Sequence, residues 1–122
     1  MTGTSRRGWH RVEIELENMK TTNLRVIAAV AGGGVPGAES SMLKVRGTEI
    51  RQEISSLLRR AMGPYAQPFV DAALDEGWDG ERIGPPEAAA AAAQYFNIRK
   101  LSIFGGSNAI QRNIISKMIL GL

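Results

Sequence analysis

The sequence predicts an all-α protein, an antiparallel helical bundle, and three observations lead to that fold class. Apolar residues recur at spacings of three and four along two long segments, as on the buried face of a helix. Clusters of glycine and proline separate the segments, and the alanine run at 88–93 consists of the best helix-forming residue. With 122 residues, of which 43% are hydrophobic, the chain suits one domain with one core.

The first predicted helix runs from His10 to Ala31. Its stripe is apolar except at Asn23 and comprises Val12, Leu16, Met19, Asn23, Val26 and Val30. The segment Gly-Gly-Gly-Val-Pro-Gly at 32–37 ends the helix, because glycine adopts the left-handed C-cap and proline cannot continue the hydrogen bonding. Residues 1–9 contain two helix-breaking glycines and one large apolar group, so we expect a disordered tail.

The second predicted helix runs from near Ala38 to Met62 and ends before Gly63-Pro64. Its stripe is formed by Leu43, Gly47, Ile50, Ile54, Leu57 and Ala61. Glycine inside a helix costs about 1 kcal/mol relative to alanine. We therefore expect Gly47 to allow the close approach of a neighbouring helix.

Residues 71–87 form an acidic segment. It holds Asp71, Asp75, Glu76, Asp79, Glu81 and Glu87 against the single basic residue Arg82. We interpret it as a surface loop with one or two short turns, pinned by its aromatic residues; the alternative is a partner-binding patch. Pro85-Pro86 and Glu87 then predict the start of a third, alanine-rich helix, with the carboxylate near its positive end.

Charge and composition narrow the function classes. The pI is about 9.7, but Arg6, Arg7 and Arg11 account for the whole net charge of +3, since the other 12 basic residues are balanced by 12 acidic ones. A short basic tail is not a nucleic-acid-binding surface, so we expect no nucleic-acid partner. The absence of cysteine and the single histidine predict no disulfide and no metal site. No apolar run suits a membrane span or a signal peptide, and we expect a cytoplasmic protein.

The run Tyr-Phe-Asn-Ile-Arg-Lys-Leu-Ser-Ile-Phe-Gly-Gly-Ser-Asn-Ala-Ile-Gln-Arg-Asn-Ile-Ile at 95–115 carries the candidate site. It predicts a loop with two glycines, an N-cap at Ser107 and a closing helix. Residues 99–122 contain no acid and four basic residues, namely Arg99, Lys100, Arg112 and Lys117. With the helix N-terminus these could bind an anionic phosphate, or they could be an ordinary N-cap beside solvated basic side chains.

The same run closely resembles the C-terminal end of the flavin-dependent acyl-CoA dehydrogenases. Residues 39–50 resemble the middle helix of that family's C-terminal bundle, and the segment from His10 to Ala31 resembles the helix before it. The family's N-terminal helical domain, its β domain and the first bundle helix have no counterpart. We therefore expect residues 10–122 to be a partial C-terminal domain lacking the bundle's first helix, with residues 1–9 unmatched.

The resemblance also implies a site. In the family, a Glu-Gly-Thr/Ser turn precedes the closing helix and carries the catalytic glutamate, whose position here is Gly105, so we assign no catalytic residue. FAD is the implied cofactor, and Gly106, Ser107 and Asn108 are the implied contacts. Ala109 lacks the polar side chain common in the family. Glu49 and Glu53 are alternative acids, which we expect to face solvent because both lie off the apolar stripe.

The family's reaction is the FAD-dependent α,β-dehydrogenation of an acyl-CoA thioester. The turn Gly-Gly-Ser resembles the branch that includes pimeloyl-CoA-type and actinobacterial steroid side-chain dehydrogenases. We expect a C-terminal fragment that supplies part of the flavin site and an oligomer interface. Alone it should be inactive and should not retain FAD, acyl-CoA being bound only by a complete enzyme.

Two other functions stay open. The chain could be a non-catalytic helical interaction module that pairs with a full-length relative, or a truncated reading frame without activity. Its expected partners are a second copy or a related acyl-CoA dehydrogenase subunit. Without the first bundle helix, we expect one copy to leave Leu43, Ile50, Ile54 and Leu57 partly accessible to solvent.

Overall fold

The structure, a computed structural model, describes residues 3–122, and this part of the chain is helical and contains no β-strand. The α-helices are α1 (Gly3–Ala31), α2 (Ala38–Met62), α3 (Ala88–Asn97) and α4 (Asn108–Leu120), and short 3₁₀ helices span Gly63–Ala66, Asp71–Leu74 and Ile98–Ser102. The predicted all-α fold class is confirmed. Over the described residues, no helix is both long enough and apolar enough to cross a membrane.

The described residues divide into two compact units, and neither unit is one continuous stretch of sequence. The first unit contains the residues up to His10 together with Arg51–Arg99. The second contains Arg11–Ile50 and Lys100–Leu122. Helices α1 and α2 each contribute to both units, so the division follows packing rather than chain order.

In the first unit, α3 packs against the 3₁₀ helices Gly63–Ala66 and Asp71–Leu74. Ala91, Ala92 and Ala93 are buried, as is Ala66 on the first of these 3₁₀ helices. The alanine run is helical, as its high helix propensity predicted, and its small side chains let the neighbouring backbones approach closely. The expected aromatic pinning of the neighbouring loop is present in part. The Phe69 ring packs edge-on against Phe96 of α3, with 5.9 Å between the ring centroids, and Gly84 lies against the Tyr65 ring, although Tyr65 and Phe69 are both half-exposed or more.

Helix α1 begins at Gly3, so it starts seven residues earlier than the predicted start at His10. The expected disordered tail is therefore wrong for residues 3–9, while residues 1 and 2 lie outside the described part. Tertiary contacts explain the difference. Gly8 lies against Leu57, the largest fully buried side chain, and Trp9 is half-buried. Packing of this kind outweighs the low helix propensity of glycine.

In the second unit, α1 and α2 run antiparallel. Glu15 of α1 pairs with Arg46 of α2 at 3.2 Å, and further along α1 Thr22 and Arg25 share a cavity with Glu39, near the start of α2. Gly47 faces Met19, whose terminal methyl would lie 3.2 Å from a Cβ at that position. The space beside Gly47 is thus filled by a side chain of α1, and the expected close approach of a neighbouring helix backbone stays a prediction.

The buried stripes agree with the predicted ones only in part. Val12, Ile50 and Leu57 are buried, but Leu16, Asn23, Val30 and Ala61 are exposed. The expectation that one copy leaves Ile50 and Leu57 accessible is wrong, since they are 3% and 1% exposed, whereas Leu43 and Ile54 are half-buried. The exposed large apolar side chains of the second unit lie instead mainly on α1 and α4, at Ile14, Leu16, Leu24, Ile27, Val30, Ile110, Ile114, Met118, Ile119 and Leu120.

Candidate functional site

The candidate site is the turn that connects the 3₁₀ helix Ile98–Ser102 to α4. The backbone N–H groups of Ile103 and Phe104 both donate to the carbonyl oxygen of Lys100, at 2.9 and 3.1 Å. Gly105 and Gly106 then adopt φ angles of +70° and +83°. Two consecutive left-handed residues reverse the chain, and glycine is the residue type that takes this conformation without steric cost.

Gly105 occupies the position at which the resemblance places the catalytic glutamate, and this glycine is exposed. A Cβ at Gly105 would meet no atom within 4 Å, so there is space for a side chain at this position. The left-handed backbone does oppose a branched or bulky residue at this position. At Gly106, a Cβ would collide with the amide nitrogen of Gln111, whose side chain lies over this glycine.

Ser107 is the N-cap of α4, as the sequence predicts. Its Oγ accepts a hydrogen bond from the backbone N–H of Ile110 at 3.3 Å, and its carbonyl oxygen accepts from Gln111 N at 2.9 Å. The N–H groups at the start of a helix have no intrahelical partner, and the helix dipole gives this end a partial positive charge. An exposed glycine backbone beside such a helix end suits contact with the polar and anionic parts of a nucleotide cofactor.

Asn108, the first residue of α4, is held by Lys44 of α2. The Lys44 ammonium donates to Asn108 Oδ1 at 3.0 Å and to the carbonyl oxygen of Leu101 at 3.1 Å. Lys44 and Asn108 are both half-buried. Sequence reasoning did not identify Lys44, because its partners are 57 and 64 residues away and no local pattern marks such a contact.

The four basic residues expected near the turn do not assemble there. Arg99 belongs to the first unit, where its guanidinium donates to Gln52 Oε1 at 3.2 Å and lies 4.2 Å from the centre of the Tyr95 ring. Lys117 is in the last turn of α4, at the opposite end from Ser107. Arg112 pairs with Glu49 at 2.9 Å, so its charge is partly neutralised. Lys100 is exposed.

The alternative acids are not simply solvent-facing, which corrects that expectation. Glu49 is half-buried and accepts from two arginines, Arg46 at 2.7 Å and Arg112 at 2.9 Å. Glu53 is also half-buried. The Glu49 carboxylate is therefore already engaged by two guanidinium groups.

Comparison with known proteins gives one result. Residues 5–120 match the family model described as acyl-CoA dehydrogenase, C-terminal domain. The match includes residues 5–9, part of the segment expected to match nothing, and it supports the family without distinguishing the branch suggested by the Gly-Gly-Ser turn. No curated protein and no solved structure matches the chain.

Proposed function

Since the chain belongs to the acyl-CoA dehydrogenase family, through the C-terminal domain that matches residues 5–120, we propose that it acts in FAD-dependent α,β-dehydrogenation of an acyl-CoA thioester. Its role is to supply the wall of the flavin site formed by the turn at 103–108. The observation that carries the proposal is the exposed backbone of Gly105, which leads through Gly106 into the capped N-terminus of α4.

The residues of the turn fit a flavin nucleotide. Gly105 presents bare backbone, Ser107 caps α4, and Asn108 adds a half-buried amide at the positive helix end. When bound, FAD supplies the hydride acceptor of the reaction. The chain's own contribution is to bind and orient it, through backbone N–H groups and the Asn108 side chain.

The proton acceptor of the reaction is not supplied by this turn. Gly105 has no side chain, and residues 88–122 contain no aspartate or glutamate. A positioned base contributes about 10²–10⁴-fold to a rate, and an enclosed, water-excluding site is needed as well. The turn therefore orients a cofactor while the base and the enclosure come from elsewhere.

A second function has its own support. Several large apolar side chains of α1 and α4 are exposed, and the family's acid position is a glycine. These features favour a helical module that pairs with a related acyl-CoA dehydrogenase subunit and takes no part in catalysis. In the first function FAD should perturb the 103–108 turn, and in the second it should not.

The chain by itself should not oxidise an acyl-CoA. The test is anaerobic mixing of purified chain, excess FAD and a panel of acyl-CoA thioesters, following flavin bleaching at its visible absorbance band. The panel includes pimeloyl-CoA and a steroid side-chain thioester, which test the branch that the Gly-Gly-Ser turn suggests. No bleaching is expected, and Gly105→Glu should not restore it, because the enclosure is still lacking. Acyl-CoA oxidation that copurifies with this polypeptide would contradict the proposal that the base and the enclosure come from elsewhere.

A further inference from the structure

Lys44 joins the two ends of the candidate turn. Its ammonium donates to Leu101 O, before the turn, and to Asn108 Oδ1, after it. The residues between them include both left-handed glycines. One cation on α2 therefore closes the loop that carries the proposed flavin contacts, and charge-assisted hydrogen bonds of this kind are stronger than neutral ones.

The same contact decides which end of the Asn108 amide faces outward. An ammonium group has three donors and no acceptor, so the atom that faces Lys44 must be the amide oxygen. The amide nitrogen is then directed away from Lys44 with two hydrogens to donate. Among residues 3–122, no hydrogen-bond acceptor accompanies that nitrogen. This half-buried donor at the first position of α4 is thus accessible to a ligand.

We propose that Lys44 is a positioning residue: it holds the Gly105-Gly106 turn and orients Asn108 to donate through Nδ2 to an acceptor atom of the bound cofactor. This inference rests on the proposed function for the identity of the ligand. The acceptor is a carbonyl oxygen or an unprotonated ring nitrogen, both of which a flavin ring offers. A phosphate oxygen of the same cofactor would be the other chemically suitable acceptor.

The first test uses the chain without ligand and measures amide hydrogen exchange at Ile103 and Phe104, whose N–H groups are bonded within the turn. Lys44→Met keeps the aliphatic length and removes both donors, so it should lower protection there about tenfold, as expected for lost hydrogen bonds to a charged group. Lys20→Met is the matched control, because within the described part of the chain Lys20 makes only an exposed pair with Glu17, so its loss should leave the turn unchanged.

A rescue experiment separates the ammonium from general packing. The chain has no cysteine, so Lys44→Cys introduces a single thiol. Treating the unfolded variant with 2-bromoethylamine and refolding it restores an ammonium at nearly the lysine length. Protection at Ile103 and Phe104 should fall in Lys44→Cys and return after aminoethylation. Unchanged exchange in Lys44→Met, or no recovery after aminoethylation, would overturn the positioning role.

The second test adds FAD to the ¹⁵N-labelled chain and follows the Asn108 side-chain amide signals. Because the chain alone is not expected to retain FAD, the titration extends to a large excess of FAD, at which the wild-type signals should shift. Asn108→Asp keeps an acceptor for Lys44 but has no amide donor. Protection of the Ile103 and Phe104 amides from hydrogen exchange should therefore be retained, while the affinity for FAD falls about tenfold. Wild-type affinity in Asn108→Asp would overturn the donor role. If FAD causes no shift anywhere in the turn, the proposed function fails, and exchange alone still decides the role of Lys44.

Discussion

At the scale of single residues, the turn depends on backbone conformation more than on side-chain contacts. Gly105 and Gly106 both have positive φ, yet only Gly106 has a neighbour, Gln111, within reach of an added Cβ. Gly105 is therefore a position where conformational strain can be measured without a steric clash. This matters for function because a family member with glutamate here must adopt a different backbone or accept strain.

Replacing Gly105 should show that strain directly. A left-handed conformation costs an ordinary L-residue about 1–2 kcal/mol, and asparagine tolerates it better. We expect Gly105→Ala to lower the free energy of unfolding by about 1 kcal/mol and Gly105→Asn to lower it by less. Urea unfolding followed by circular dichroism measures both. Equal stability of Gly105→Ala and the wild type would mean that the turn has a different backbone.

Ser107 gives a second measurable effect. Loss of an N-cap costs about 1 kcal/mol, whereas aspartate caps as well as serine. Ser107→Ala should therefore destabilise the chain by about that amount, and Ser107→Asp should not. Thermal unfolding of the three proteins makes the comparison. If alanine and aspartate lowered the melting temperature equally, the hydroxyl would not be acting as a cap.

At the scale of helices, α1 and α2 meet through two glycines in different surroundings. A Cβ at Gly8 would lie 2.8 Å from a methyl group of Leu57, which is 1% exposed and surrounded by other atoms. A Cβ at Gly47 would lie 3.2 Å from the end of Met19, which is half-buried and flexible. The two glycines should therefore respond differently to the same substitution.

Gly8→Ala should destabilise the chain, and Gly47→Ala should not. Overpacking a rigid site costs about 1–3 kcal/mol, which exceeds the gain of about 1 kcal/mol in helix propensity. At Gly47 the methionine can move, so the propensity gain should balance or exceed the contact cost. Denaturant midpoints of both variants provide the test. A stabilising Gly8→Ala would indicate that the first turns of α1 do not pack on Leu57.

At the scale of the whole molecule, exposed apolar surface should favour association. Helices α1 and α4 carry ten exposed large apolar side chains, and a large exposed apolar patch is a typical site of association. Light scattering at micromolar concentration should therefore detect dimers or larger species. Leu24→Glu with Ile27→Glu should shift the chain towards monomer, whereas Ile83→Glu in the acidic segment should not. A wild-type chain that is monodisperse and monomeric would count against an interface on α1.

Local sequence signals predicted the elements better than their contacts. The predicted bounds of α2 are the observed ones, and Ser107 caps α4, because glycine, proline and a hydroxyl N-cap act over a few residues. The start of α1 was missed because its stability comes from Leu57, far along the chain. The basic residues of the turn were predicted from their proximity to it in sequence. The cation that contacts the turn, Lys44, comes instead from another helix, α2.

The bond between Lys44 and Asn108 also sets an order of events during synthesis. The two residues are 64 positions apart along the chain. At about 5–20 residues per second, a ribosome needs about 3 to 13 s to add Asn108 after Lys44. During that interval the Lys44 ammonium lacks its hydrogen-bond acceptor on α4. The contact between Lys44 and Asn108 therefore forms only after synthesis of α4 has begun, and a nascent chain that stalls before Asn108 cannot make it.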